Sequence, residues 1–324
     1  MLRYILKRIL TVIPVMLGVL TIVFAMNELT PGDPAEMLAG SEATEEQIEQ
    51  MREDLGLNKN VVVRYIDYVV GLVTRGDMGT SYSTKQPITT EILERYPTTL
   101  KLALLSILFA ILVGVPLGVV SAVKQNSFID NLSMSLALFG VSMPNFWLGL
   151  MMISIFSVKL GWLPASGLDG PKYWIMPVIA ISVGAIAQIA RVTRASMLDV
   201  IRQDYMRTAR SKGQVEWKTI LFHGLRNALI PIITTIGGQM GVQLGGAILA
   251  ESVFGIPGLG SYMVAAIKSR NYPAVQGGVL YLALMCSLIN LVVDLLYAYV
   301  DPRVKASFTG KVRKKDLKAI KEVA

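Results

Sequence analysis

DYMRTARSKGQVEWKTILFHGLRNALIP, residues 204 to 231, is a polar and basic stretch set between two long apolar runs. Its first part has the spacing of a short helix: Ile201, Tyr205, Met206 and Ala209 recur at helical intervals, and Asp204 is placed to cap the following turn. Gly213 breaks that pattern. Two readings fit these residues. One is an interfacial amphipathic helix that holds Arg207, Arg210 and Lys212 at anionic head groups. The other is a docking surface for a partner protein.

Outward from this stretch, apolar runs long enough to cross a bilayer, roughly 20 residues each, occur at Ile9 to Asn27, Leu100 to Val123, Leu132 to Val158, Tyr173 to Ala190, Ala228 to Ala250 and Pro273 to Val293. Only Lys101 intrudes, near a boundary where its long side chain reaches the interface. Pro116, Pro144 and Pro177 lie inside the runs, where neighbouring helices can satisfy the freed carbonyls. With 53% hydrophobic and 17% charged residues, the chain is expected to be an all-α polytopic membrane protein with six transmembrane helices.

Basic residues are retained on the cytoplasmic side of a membrane and so orient the spans. The side that holds both ends of the chain and residues 191–226 carries 20 of the 31 Lys and Arg, while the other carries 10, of which 6 lie in one long loop that weighs little. Both termini are therefore expected in the cytoplasm. The net charge of +8 does not point to nucleic acid, because the basic residues flank apolar runs and do not interleave with aromatic ones. Cys286 and His223 are the only residues of their kinds, which excludes an intrachain disulfide and a zinc cluster of soft ligands.

The long segment from Thr30 to Pro97 carries 12 acidic residues against 6 basic and reads as folded. Thr44 and Gln47 have capping-box spacing ahead of a helix that reaches Leu55 and stops at Gly56. A second amphipathic helix is expected from Val61 to Thr74, with Tyr65, Val69 and Leu72 on one face. The segment suits either a solubilising cap over the helix ends or a docking surface for an extracytoplasmic partner. Residues 306–324 form a basic tail, and Asp294, near the end of the last run, is placed to pair with Arg303.

Arg207-Thr208-Ala209-x-x-x-Gly213, followed by Leu225-x-Asn227-x-x-x-Pro231, resembles the cytoplasmic EAA loop of ABC importer permeases, specifically the dipeptide/oligopeptide branch. The likeness runs from Met1 to about Lys305 and includes Pro31-Gly32-Asp33-Pro34, Gly76-Asp77-Met78-Gly79-Thr80-Ser81, Tyr96-Pro97-x-Thr99-Leu100, Ser142-Met143-Pro144, Pro257-Gly258-Leu259-Gly260 and Tyr272-Pro273-x-Val275-Gln276-Gly277. It implies a type I importer permease domain over 1–305, with an extracytoplasmic insertion at about 30–97 and a coupling loop at about 191–227. It also implies a prokaryotic inner-membrane location, a second homologous permease, two ABC ATPase subunits that hold ATP and Mg, and a substrate-binding protein outside. On this resemblance Tyr205, Arg207, Thr208, Ala209, Lys212 and Gly213 form a coupling helix, Ala209 being small because a wall approaches it closely and Gly213 permitting a turn. Di- or oligopeptides are the implied cargo, with nickel or glutathione as alternatives.

No G-x-x-x-x-G-K-[ST] phosphate cradle and no Gly-x-Ser-x-Gly elbow occurs, so no catalytic residue and no cofactor of its own is expected in this chain. A stand-alone secondary transporter would carry internal repeats or paired buried ionisable groups, which the sequence lacks. After the loop, Gly237, Gly241 and Gly245 recur every fourth residue and are expected to form one packing ridge. Gln239 and Gln243 lie on the opposite side, and two amides in hydrocarbon are costly, so they are expected to face a wet pathway or a hydrogen-bonding neighbour.

Overall fold

The computed structural model describes residues 2–40 and 42–300, and among them the regular structure is helical apart from one isolated bridge between Thr80 and Pro87. The basic tail and Arg303, with its expected pairing, lie outside the described residues. In chain order the helices are α1 (Leu2–Leu29), α2 (Pro34–Ala39), α3 (Glu45–Asp54), α4 (Val61–Arg75), α5 (Ile88–Val123), α6 (Phe128–Ser142) and α7 (Asn145–Met152, continued by a wide π turn over Ile153–Lys159). They continue with α8 (Lys172–Ile201), α9 (Asp204–Ser211), α10 (Glu216–Lys218, continued by a π turn over Thr219–Leu225), α11 (Arg226–Phe254), α12 (Leu259–Lys268) and α13 (Tyr272–Val300).

The centre of the bundle is the contact between α5 and α8, made close by glycine. A Cβ on Gly118 would stand 2.5 Å from the carbonyl oxygen of Ala190, and one on Gly114 would stand 2.9 Å from that of Ile186. Only residues without a side chain allow this approach, and in lipid such van der Waals contact replaces hydrophobic drive. Toward the other end of the same contact, the Ser182 hydroxyl donates to the Ser106 carbonyl at 2.9 Å. On α11, Ile232, Ile236, Met240, Ala247 and Phe254 recur at helical spacing and close over α5 and α8. Helix α1 is peripheral: it lies along α13 and keeps most of the apolar side chains between Leu10 and Leu29 exposed, as a lipid-facing helix does.

Among the described residues five helices are long and apolar enough to cross a membrane, and the sixth expected span is not one helix. The run from Leu132 to Val158 is broken between α6 and α7, whose axes meet at 101°. Pro144 sits at the N-cap of α7 rather than inside a helix, and Met143 before it is extended, at φ −88° and ψ 130°. The proline ring disfavours the helical conformation at the preceding residue, so the chain turns at Met143.

The segment over 30–97 folds against the ends of α1 and α13. The capping box forms as expected, with Gln47 N–H donating to Thr44 Oγ1 at 3.3 Å and Thr44 N–H to Gln47 Oε1 at 2.9 Å. Tyr65 of α4 packs edge-on against Phe24 of α1, and the two hydroxyls of Tyr65 and Thr21 share a hydrogen bond of 2.7 Å. Asn271, buried just before α13, donates to Ser81 Oγ at 2.8 Å and accepts from the Tyr82 N–H at 3.1 Å, so the motif at 76–81 is fastened to the start of α13.

Candidate functional site

The region expected as a loop over 191–227 is largely helix: α8 continues through Arg191 and Arg194 to Ile201, and α10 runs into α11. The non-helical remainder is two short turns on either side of α9. Gln203, not Asp204, is the N-cap of α9, and Asp204 lies in the first turn, where its charge suits the positive end of the helix. Gly213 has φ +75°, the left-handed conformation that favours glycine, and it reverses the chain after α9.

Helical geometry sorts the six expected coupling residues. Met206 and Ala209, three apart, share the inner face and are buried, whereas Tyr205, Arg207, Thr208, Lys212 and Gly213 are exposed together. The wall that Ala209 meets therefore belongs to this chain, since α9 packs on the π turn at Thr219–Leu225. Ala209 is close-packed, as its small size led one to expect, and it seats the helix on the permease's own π turn. Gly224 completes the seat: a Cβ there would lie 3.2 Å from the methyl of Met197 and 3.5 Å from that of Met206. Burying Met206 in full contributes about 2 kcal/mol to holding α9 in place.

Polar contacts brace the same unit. Arg210 donates to Glu216 at 2.9 and 3.1 Å, which lifts the guanidinium further above its usual range, and His223 bonds Gln214 at 2.8 Å. Arg194 of α8 grips buried Asp130 of α6 with two bonds of 2.6 Å, and Arg202 reaches Gln125 at 3.4 Å. The α9–α10 unit is thus packed against α8 and α11, and α8 in turn is tied to α6 through Arg194 and Asp130.

Next to the exposed face of α9 stand Val215, Trp217, Leu221 and Phe222, all exposed, with the Trp217 and Phe222 rings 6.4 Å apart. Sequence reasoning did not single these out. The interval from Trp217 to Leu221 is helical, yet the short run around them shows no long apolar period. The result is a mixed aromatic and basic surface, the composition that interface anchors favour.

On α11 the expected glycine ridge is not continuous within the chain. Gly237 meets Val293 of α13, where a Cβ would clash with the valine side chain, but a Cβ on Gly241 or Gly245 would meet nothing within 4 Å. Gln243 is corrected as well: it is buried in the stripe that faces α5 and α8, with its Nε2 unpartnered, and lines no open surface. Gln239 is half-buried. Thr234, Gly238, Val242 and Gly245 form the open side of this helix, with Gly241 at its margin.

The model of the binding-protein-dependent transport system inner membrane component matches residues 114–306, and that of its N-terminal region matches residues 1–103. The chain belongs to this permease family. The permease is 45% identical to the dipeptide transport system permease protein DppB of Alkalihalophilus pseudofirmus, over 94% of this chain and all of that one. It is 45% identical to the glutathione transport system permease protein GsiC of Pectobacterium atrosepticum and 44% identical to that of Salmonella typhimurium, in each case over 94% of this chain and 99% of the relative. These relatives place the permease in the dipeptide/oligopeptide branch of the ABC importers, an inner-membrane component that works with ATPase and substrate-binding components.

Solved structures share the fold. Two crystal forms of the inward-facing MetNI methionine ABC transporter align at 19% identity with TM-scores of 0.53 and 0.56, over 66% and 65% of the permease and 97% and 96% of those chains.

Proposed function

We propose that this permease forms half of a pathway for di- or oligopeptides, with a second homologous permease as the other half. Two ATPase subunits, which hold ATP and Mg, dock on the exposed face of α9 and α10, and a binding protein delivers cargo to the opposite side. The observation that carries this reading is the α9–α10 unit. It presents Tyr205, Arg207, Lys212, Trp217 and Phe222 outward, while Met206 and Ala209 lock it to the membrane helices. Closure of the ATPases would then move the attached helices as rigid bodies. In this arrangement both termini are cytoplasmic, and residues 30–97 face outward as a binding-protein platform.

The peptide cargo is supported by the name of the DppB relative and the glutathione alternative by that of GsiC. Within the pathway, the open side of α11 around Gly238, Gly241 and Gln239 is the proposed wall. Uptake by cells that carry the full importer as their only peptide transporter tests the cargo. Labelled dipeptides should enter and unlabelled dipeptides should compete. Entry of glutathione alone, with no dipeptide competition, would transfer the assignment to the glutathione reading.

A further inference from the structure

A groove of about 630 Å³ opens on the surface between α5 and α8, remote from the α9–α10 unit. Its long wall is apolar and runs down α5 through Leu105 and Leu108 to Leu112, with Ile179 opposite on α8. At its mouth stand Lys101 and Trp174, the Lys101 ammonium 4.5 Å above the centre of the indole ring. Lys101 makes no ion pair among the described residues, so its charge is held by an aromatic face alone.

The dimensions select an occupant. From Lys101 to Leu112 the groove follows α5 for about 16 Å at 1.5 Å per residue. That is about half of the roughly 30 Å hydrocarbon core, the depth of one leaflet. A transmembrane helix of another subunit would need the full thickness. A phospholipid needs one leaflet of apolar wall below and a cation at the head-group level above. Lys101 supplies the cation, and Trp174 occupies the interfacial position that tryptophan prefers.

We propose that this groove binds one anionic phospholipid of the leaflet opposite the α9–α10 unit, its acyl chain along Leu105 to Leu112 and its phosphate on Lys101. Lys101 retains its donors for phosphate while it rests on Trp174. One basic residue at a membrane surface gives about a fivefold preference for anionic over zwitterionic lipid.

The test uses the whole importer in membranes, labelled with phosphatidylglycerol that carries a photoactivatable acyl chain, followed by peptide mapping. Labelling should fall on residues 105–112, and phosphatidylglycerol should compete about fivefold better than phosphatidylcholine. Lys101→Gln should remove that preference, and Lys101→Arg, which keeps the charge at the same exposed site, should retain it. Equal competition by the two lipids in the unmodified protein, or a preference that survives Lys101→Gln, would overturn the proposal. So would the absence of label on 105–112, which would mean that protein covers the groove in the assembly. None of these readings depends on cargo or on transport.

Discussion

Glycines on two helices carry the same spacing in sequence and opposite consequences in the fold. Ala110, Gly114 and Gly118 recur every fourth residue on α5, just as Gly237, Gly241 and Gly245 do on α11, yet both α5 glycines touch another backbone and only Gly237 of the second set touches a neighbour at all. Gly118→Ala places a methyl 2.5 Å from a carbonyl that cannot move without its helix. Overpacking of this kind costs about 1–3 kcal/mol, more than the roughly 1 kcal/mol that alanine gains in helix propensity. Gly238→Ala has open space and only the gain. Thermal unfolding in detergent should therefore show Gly118→Ala less stable than the parent and Gly238→Ala equal or more stable. The reverse order would mean that the α5–α8 contact is looser than described.

Among elements, what was legible from sequence was local. The capping box needs only Thr44 and Gln47, the turn after α9 needs only Gly213, and long apolar runs announce helices wherever they fall. Hidden from sequence were facts that depend on a second element. Hydropathy integrates over a run and is blind to a bend, so Leu132 to Val158 read as one span although Met143 and Pro144 turn it by 101°. Periodicity gives a helix two faces without naming the inner one. It therefore set Gln243 beside Gln239 on the polar face of α11, when packing toward α5 and α8 buries it. With Cys286 replaced, Gly241→Cys and Gln239→Cys should react with small polar thiol reagents in membranes, at rates that change on addition of ATP to the assembled importer. Gln243→Cys should stay protected. Fast modification at Gln243→Cys together with protection at the other two would restore the opposite facing of α11.

For the whole molecule, the account rests on a rigid path. On the proposed docking, exposed groups of α9 and α10 would meet the partner and buried Met206 and Ala209 would pass the load inward, while the Asp130–Arg194 pair ties α8 to the bent α6–α7 element. On the proposed orientation that surface lies in the cytoplasm with the basic flanks. In a Cys286-free background, an impermeant thiol reagent added to intact cells should label Asp54→Cys on the far end of α3 and leave Ser211→Cys unlabelled until the membrane is opened. The opposite pattern would invert the topology.

The most direct measurement is the amount of ATPase that copurifies from membranes with an affinity-tagged permease. Tyr205, Trp217 and Phe222 are exposed, so Tyr205→Ala, Trp217→Ala and Phe222→Ala combined should leave membrane insertion unchanged. Loss of even one aromatic anchor worth about 2 kcal/mol should weaken ATPase binding by roughly thirtyfold, and loss of all three by more. Retention of ATPase by the triple variant at the level of the unmodified permease would contradict docking on this surface.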